Sequence, residues 1–379
     1  LIFITLTAWL RDVGISLSLI GFISWIMLTY SFKFIWAPLV DRFSIPFLNK
    51  FGSRRSWIIL MQIIIIFGLI VLSRINPSLN FNIFALVAFV IAFAGSVQDI
   101  AIDALRIESA KLEDQGNLAA GYQLGYRVAI LVGSSFALIL AGYTSWSYVY
   151  QSMSILMVVN IVLCILTSYE NKNTILKKLS LEETVSAPLE DFFGRFGTQM
   201  ACILLLIVAT YRLTDIVMGP MANPFYLDMG YSLSEIGAVI KVVGLIFAMI
   251  GVFVGGFFIK KIGLYKSLLI GALLVMCTNL CFSYASITDK STFLLASIVG
   301  ADSLAAGIVG TVNIAFLTSL VSKKYTGFQY ALLTSLMAIL GKFFGGFSGV
   351  LVENLQNLYG FNYGWMSFYI FTSLLAIPA

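Results

Sequence analysis

The stretch Gly95-Ser-Val-Gln-Asp-Ile-Ala-Ile-Asp-Ala-Leu-Arg-Ile-Glu108 closes an apolar run that begins near Ile83. Asp99 and Asp103 stand four apart, a spacing that puts both carboxylates on one face of a helix. An acid at membrane depth is costly and rare, so two on one face mark a functional site, and the rest of the chain has to supply the bundle around them.

Composition supports that setting. Of 379 residues, 60% are hydrophobic and only 11% charged, against about 25% charged in soluble domains. Mean hydropathy is +0.97. Apolar runs recur along the whole length, so the bilayer is the expected solvent. The net charge of +5 is a topology signal rather than a nucleic-acid one, because the lysines and arginines cluster in short loops. Cys164, Cys202, Cys277 and Cys281 lie in apolar stretches without metal spacing and read as small hydrophobes. The chain contains no histidine. It has no clustered nucleophile with a base, which argues against an enzyme. It also lacks a Gly-x-x-x-x-Gly-Lys-Ser/Thr loop, which argues against ATP drive. No metal or organic cofactor is expected; the energy source read here is a proton gradient.

The expected architecture is an all-α membrane protein of twelve spans in two six-helix halves. Residues 1–168 form the first bundle, 169–198 a cytoplasmic central loop, and 199–379 the second bundle. The first apolar run is short, the chain starts without methionine, and it stops inside an apolar run, so both terminal helices are read as truncated. The links after spans 2, 4, 6, 8 and 10 hold Lys or Arg at 42, 50, 54, 55, 106, 111, 172, 177, 178, 195, 260, 261, 266, 323 and 324, whereas the opposite links hold only Arg11, Arg74 and Lys290. That asymmetry places the first set in the cytoplasm.

Five cations (Lys33, Arg127, Arg212, Lys241 and Lys342) and four acids (Asp99, Asp103, Asp215 and Asp302) fall inside predicted spans. They have to line a polar path or pair with one another. Asp99 lies about 10 Å from the cytoplasmic end of its span, and Arg127 about 13 Å into the next, so those two are expected to meet. Asp99, Asp103 and Arg127 are read as a proton-coupling set, against the blander reading of a salt bridge that holds two helices together. Lys33, Gln98, Tyr122, Tyr126, Arg212, Asp215, Lys241 and Lys342 are read as substrate-binding, against charge compensation for the ions and ordinary packing for the rings. Asp41, Arg42, Arg54 and Arg55 are read as a gate in the basic link after span 2. Gly341, Gly345 and Gly349 repeat every fourth residue, as do Gly121 and Gly125, a pattern for close helix packing.

The motifs resemble a known family. Phe32-Lys33-Phe34 before Asp41-Arg42, Ser96-Val97-Gln98-Asp99 with Asp103-Ala104, and Gly125-Tyr126-Arg127 are similar to the AmpG muropeptide permeases of the major facilitator superfamily. Ala187-Pro188-Leu189 with Asp191-Phe192-Phe193-Gly194-Arg195, then Asp215, Lys241 with Gly244, and Phe328-Gln329-Tyr330-Ala331-Leu332 follow in the same order. The resemblance implies a proton-driven, monomeric importer in the bacterial inner membrane. Its cargo would be sugar–peptide fragments of the cell wall, carried from periplasm to cytoplasm. The same fold carrying an acyl-CoA or another organic anion is the alternative cargo reading.

Overall fold

The computed structural model describes residues 2–33, 35–36, 40, 43, 45–108, 125, 128–166, 186–322 and 326–377. Among them every regular element is a helix. Eight helices are long and apolar enough to cross a membrane, and Leu17–Ser31 and Val128–Tyr143 are shorter apolar ones. On Trp146–Leu166 the side chains of Ile155, Val159, Val162 and Leu166 are exposed, as expected where lipid rather than water covers the surface. The all-α membrane class read from the sequence is the class observed.

The chain divides into two compact units: residues 1–15 with 26–177, and residues 16–25 with 178–379. In the first unit the Ser53–Leu72 helix packs against both Phe81–Glu108 and Trp146–Leu166. An aromatic cluster closes one end of it. Trp9 stands edge-on to Phe84 with centroids 5.1 Å apart and stacks on Trp146 at 5.9 Å. The buried indole of Trp146 donates to Asp12 Oδ2 at 2.7 Å, so its polar end is satisfied.

The second unit is built on a close crossing of Leu245–Ile262 with Thr292–Leu320. A Cβ on Gly251 would strike the Leu304 carbonyl oxygen, and one on Gly307 the Ala248 oxygen. Small residues let the two backbones touch. Leu17–Ile23 packs in this unit against Ser348–Tyr359. There the Ser18 hydroxyl donates to Glu353, and Gly349 leaves room for the Leu17 carbonyl. The close packing expected of the Gly341, Gly345 and Gly349 row is present: Gly341 and Gly345 both sit on Ile216.

Several elements differ from their expected course. The second span, read as one helix over 17–40, is an α-helix at Leu17–Ile23, a tighter 3-10 turn at Ser24–Met27 and α-helix again at Leu28–Ser31. The Thr29 hydroxyl bonds back to the Ile26 carbonyl at 2.8 Å, a local bond that competes with the regular ladder. The seventh span, read over 199–221, is interrupted after Thr210 and runs on to Asp228. The stretch read as the central loop contains the helix Ala187–Phe196, with Pro188 in its first turn. Its Phe192 joins the core of the second unit with Val312, Phe316 and Leu320.

Candidate functional site

The site in the first unit follows from helical spacing on two elements. On Phe81–Glu108, residues Gly95, Asp99 and Asp103 recur every fourth position and share a face. On the facing segment Tyr30 and Lys33 are three apart. A Cβ on Gly95 would collide with the Tyr30 hydroxyl, so glycine there lets the tyrosine seat against the helix. That seating brings Lys33 Nζ to 3.6 Å from Asp99 Oδ2 and 3.6 Å from Asp103 Oδ2. One ammonium therefore bridges two carboxylates, leaving the three groups one negative charge in excess. Their side chains remain 38%, 39% and 35% exposed, so the cluster is open to a solute. Lys33, read from the sequence as a substrate contact, is placed by the structure between Asp99 and Asp103.

Gln98 is half-buried beside the pair, and its side chain makes no hydrogen bond among the described residues. Arg127, Tyr122 and Tyr126 lie outside the described residues, as do the gate residues Asp41 and Arg42. The other two gate residues, Arg54 and Arg55, are buried in the first turn of Ser53–Leu72, where Arg54 donates to the Val40 carbonyl at 3.3 Å. A cation at a helix N-terminus opposes the helix dipole, so compensating acceptors are required there.

In the second unit the break in the seventh span holds the next charged pair. Arg212 stands at the interruption and Asp215 in the first turn of Leu213–Met218. Arg212 Nη2 lies 3.5 Å from Asp215 Oδ2, the limit of a hydrogen bond. Discontinuous helices at mid-membrane are where transporters commonly expose polar groups to a solute. Lys342 is on Thr326–Gly345, the helix whose Gly341 and Gly345 rest on Ile216, so its backbone runs beside the Asp215 segment. Lys241 lies in a π-helical turn, Ile240–Gly244, an irregularity found often at functional sites.

At the end of the Thr292–Leu320 helix a second polar cluster is complete. Gln329, buried to 2%, accepts from Arg195 Nη2 at 3.1 Å and from the Ser322 amide at 2.7 Å. It donates to the Pro188 carbonyl at 2.8 Å and to Asp191 Oδ2 at 3.0 Å. Arg195 also donates to the Leu320 carbonyl at 3.0 Å, capping the end of that helix.

The Major Facilitator Superfamily model matches residues 1–346 of this chain. The Escherichia coli K12 anhydromuropeptide permease is 34% identical over 376 residues, covering 99% of this chain and 74% of the relative. The chain belongs to the AmpG permeases of the Major Facilitator Superfamily. The Rickettsia conorii protein named AmpG 4 is likewise 34% identical, over 385 residues, covering 100% of this chain and 90% of that protein. Among solved structures, the nucleoside transporter NupG superposes with a TM-score of 0.73 at 14% identity, over 99% of this chain and 93% of that one. The D-xylose-proton symporter also gives 0.73 at 14% identity, over 99% and 92%. At that identity both speak for the fold alone. As a member of this family the chain is a multi-pass membrane transporter.

Proposed function

We propose that this protein imports anhydromuropeptides, namely GlcNAc-anhydroMurNAc and its peptide-bearing forms, from periplasm to cytoplasm. It does so as a monomer in the inner membrane, driven by protons. Similarity over 99% of this chain and 74% of the anhydromuropeptide permease supports the cargo. The coupling rests on the Asp99–Lys33–Asp103 cluster. Two carboxylates compete for one ammonium at equal distance, so protonating either one hands the cation to the other. A change of partner at a helix crossing is a local event of the kind that biases a two-state transporter. Arg127, on the next span, would be a further cation for that exchange. Arg212, Asp215, Lys241 and Lys342 would contact cargo in the second unit.

The test is uptake of labelled GlcNAc-anhydroMurNAc into vesicles with and without an inward proton gradient. Gradient-dependent accumulation by the wild type, abolished in Asp99→Asn at equal abundance in the membrane, is the expected result. Accumulation that ignores the gradient would overturn the coupling. Absence of uptake, with an organic anion such as an acyl-CoA transported instead, would overturn the cargo.

A further inference from the structure

The Ser53–Leu72 helix has 20 residues, a rise of about 30 Å, which matches the hydrocarbon core of a bilayer with nothing to spare. Only Gly52 separates it from the turn Pro46–Phe51, so that turn lies at the level of the lipid headgroups. The link is folded back onto the start of the helix. The Trp57 indole donates to the Phe43 carbonyl at 2.6 Å, and Arg54 donates to the Val40 carbonyl at 3.3 Å. From this fixed base Phe47 projects with 93% exposure and Phe43 with 59%. Rings left so bare gain from any apolar cover.

The second unit shows what belongs at this level. Gly263, with φ of 85°, precedes Leu264–Ala285 as Gly52, with φ of 106°, precedes Ser53–Leu72. Four residues after each glycine stands a buried serine bonded back into the first turn, Ser267 to the Gly263 carbonyl at 2.7 Å and Ser56 to the Ser53 carbonyl at 2.6 Å. Two residues after the glycine the second unit has Tyr265, an exposed ring, whereas the first has Arg54, which is buried. Tyr284 and Phe293, also exposed, likewise stand one residue inside the end of a span, the level at which aromatic rings anchor helices. Ser53–Leu72 gives that position to an inward arginine, and the link supplies the rings instead. Its charge suits the same surroundings. Positions 41–56 hold Arg42, Lys50, Arg54 and Arg55 against one acid, Asp41. Lys50 is exposed, its ammonium 5.1 Å from the centroid of the Phe51 ring.

We propose that the link over Phe43 and Pro46–Phe51 is a membrane-surface anchor whose partner is anionic phospholipid. Phe47 and Phe43 enter the boundary between headgroups and acyl chains, and Lys50 meets lipid phosphates, the pairing of apolar ring and basic group that holds interfacial segments to a charged bilayer. The inference does not depend on the cargo.

The test uses the full chain carrying Phe47→Cys, with Cys164, Cys202, Cys277 and Cys281 replaced by serine, labelled with bimane and reconstituted in phosphatidylcholine vesicles with and without phosphatidylglycerol. The exposed ring contributes no packing, so the variant should fold. A nitroxide lipid with its spin label at headgroup depth should quench the bimane at least about threefold more than iodide supplied on both faces. Phosphatidylglycerol should increase that lipid quenching, and Lys50→Gln should remove the increase. Stronger quenching by iodide would place the ring in water and overturn the anchor. Protection from both quenchers would mean that protein covers the ring, a second copy included, and would overturn it as well. Lipid quenching that ignores phosphatidylglycerol would overturn the anionic headgroup as the partner.

Discussion

Lys33 is the residue on which the first site turns, because it is equidistant from two acids that would otherwise face each other. Removing it should do more harm than removing it together with one acid. Lys33→Gln leaves two like charges on one helical face, whereas Lys33→Gln with Asp99→Asn leaves a single carboxylate. With all three groups more than a third exposed, solvent screening holds the difference to about 1 kcal/mol or less. Heat denaturation in detergent should therefore rank the double variant above the Lys33 single variant. The reverse order would show that the lysine is held by something other than these acids. The aspartates were legible in the sequence, since a four-residue separation is a property of one helix. Their lysine was not, because which faces of two helices meet depends on what lies between them. Here that is Gly95, whose missing side chain admits Tyr30. Asp302 was visible as an intramembrane acid, but that its side chain has no hydrogen bond or ion pair among the described residues is a fact of packing that spacing does not contain.

At the scale of elements, two junctions carry predictions. Gln329 uses its amide in both directions, joining the Ala187–Phe196 helix to the ends of the two helices it touches. Gln329→Ala strips partners from a buried carbonyl and an amide, a loss of about 2–3 kcal/mol. It should lower the melting temperature of the purified protein in detergent relative to the wild type, as read by heat denaturation. The sequence reading put Phe192-Phe193-Gly194-Arg195 in the central loop and did not show this dock, because its partner lies more than a hundred residues away in sequence. The second junction is Gly349 against Leu17. Gly349→Ala drives a methyl group into a backbone carbonyl that has no free rotamer to escape to, at a cost of about 1–3 kcal/mol. Gly256, on an exposed helical face with nothing within 4 Å of a built Cβ, is the matched control. Gly256→Ala should be neutral or stabilising, by up to about 1 kcal/mol. Similar melting of both variants would show that the Gly349 contact is relieved by a small shift of the helix. Gly341, Gly345 and Gly349 were legible as packing positions, while the identity of what they pack against was not; Gly125, read the same way, has nothing within 4 Å of a built Cβ among the described residues, and Gly121 lies outside them.

At the scale of the whole molecule, the all-α membrane class was readable from hydropathy, since a long apolar run satisfies its own backbone groups in lipid as a helix. The interruptions near Ser24 and Tyr211 were not, because neither contains the proline or glycine that usually announces a break. Orientation is the remaining global property, and it follows from the cations in the links. Lys260, Lys261 and Lys266 flank the Gly263 link, while the links around Ser78 and Asp289 carry only Arg74 and Lys290. Positive charge beside a span keeps that end in the cytoplasm. Single cysteines at exposed Ser78, Asp289 and Lys261, in a background with Cys164, Cys202, Cys277 and Cys281 replaced by serine, test this in intact spheroplasts. A membrane-impermeant maleimide should label Ser78→Cys and Asp289→Cys at once, and Lys261→Cys only after the membrane is opened. The opposite pattern would invert the protein, and import would have to be rewritten as export. With the expected pattern, Asp302 lies about 15 Å in from the periplasmic end of its helix, so a cargo arriving from outside passes its level before the middle of the 29-residue Thr292–Leu320 helix.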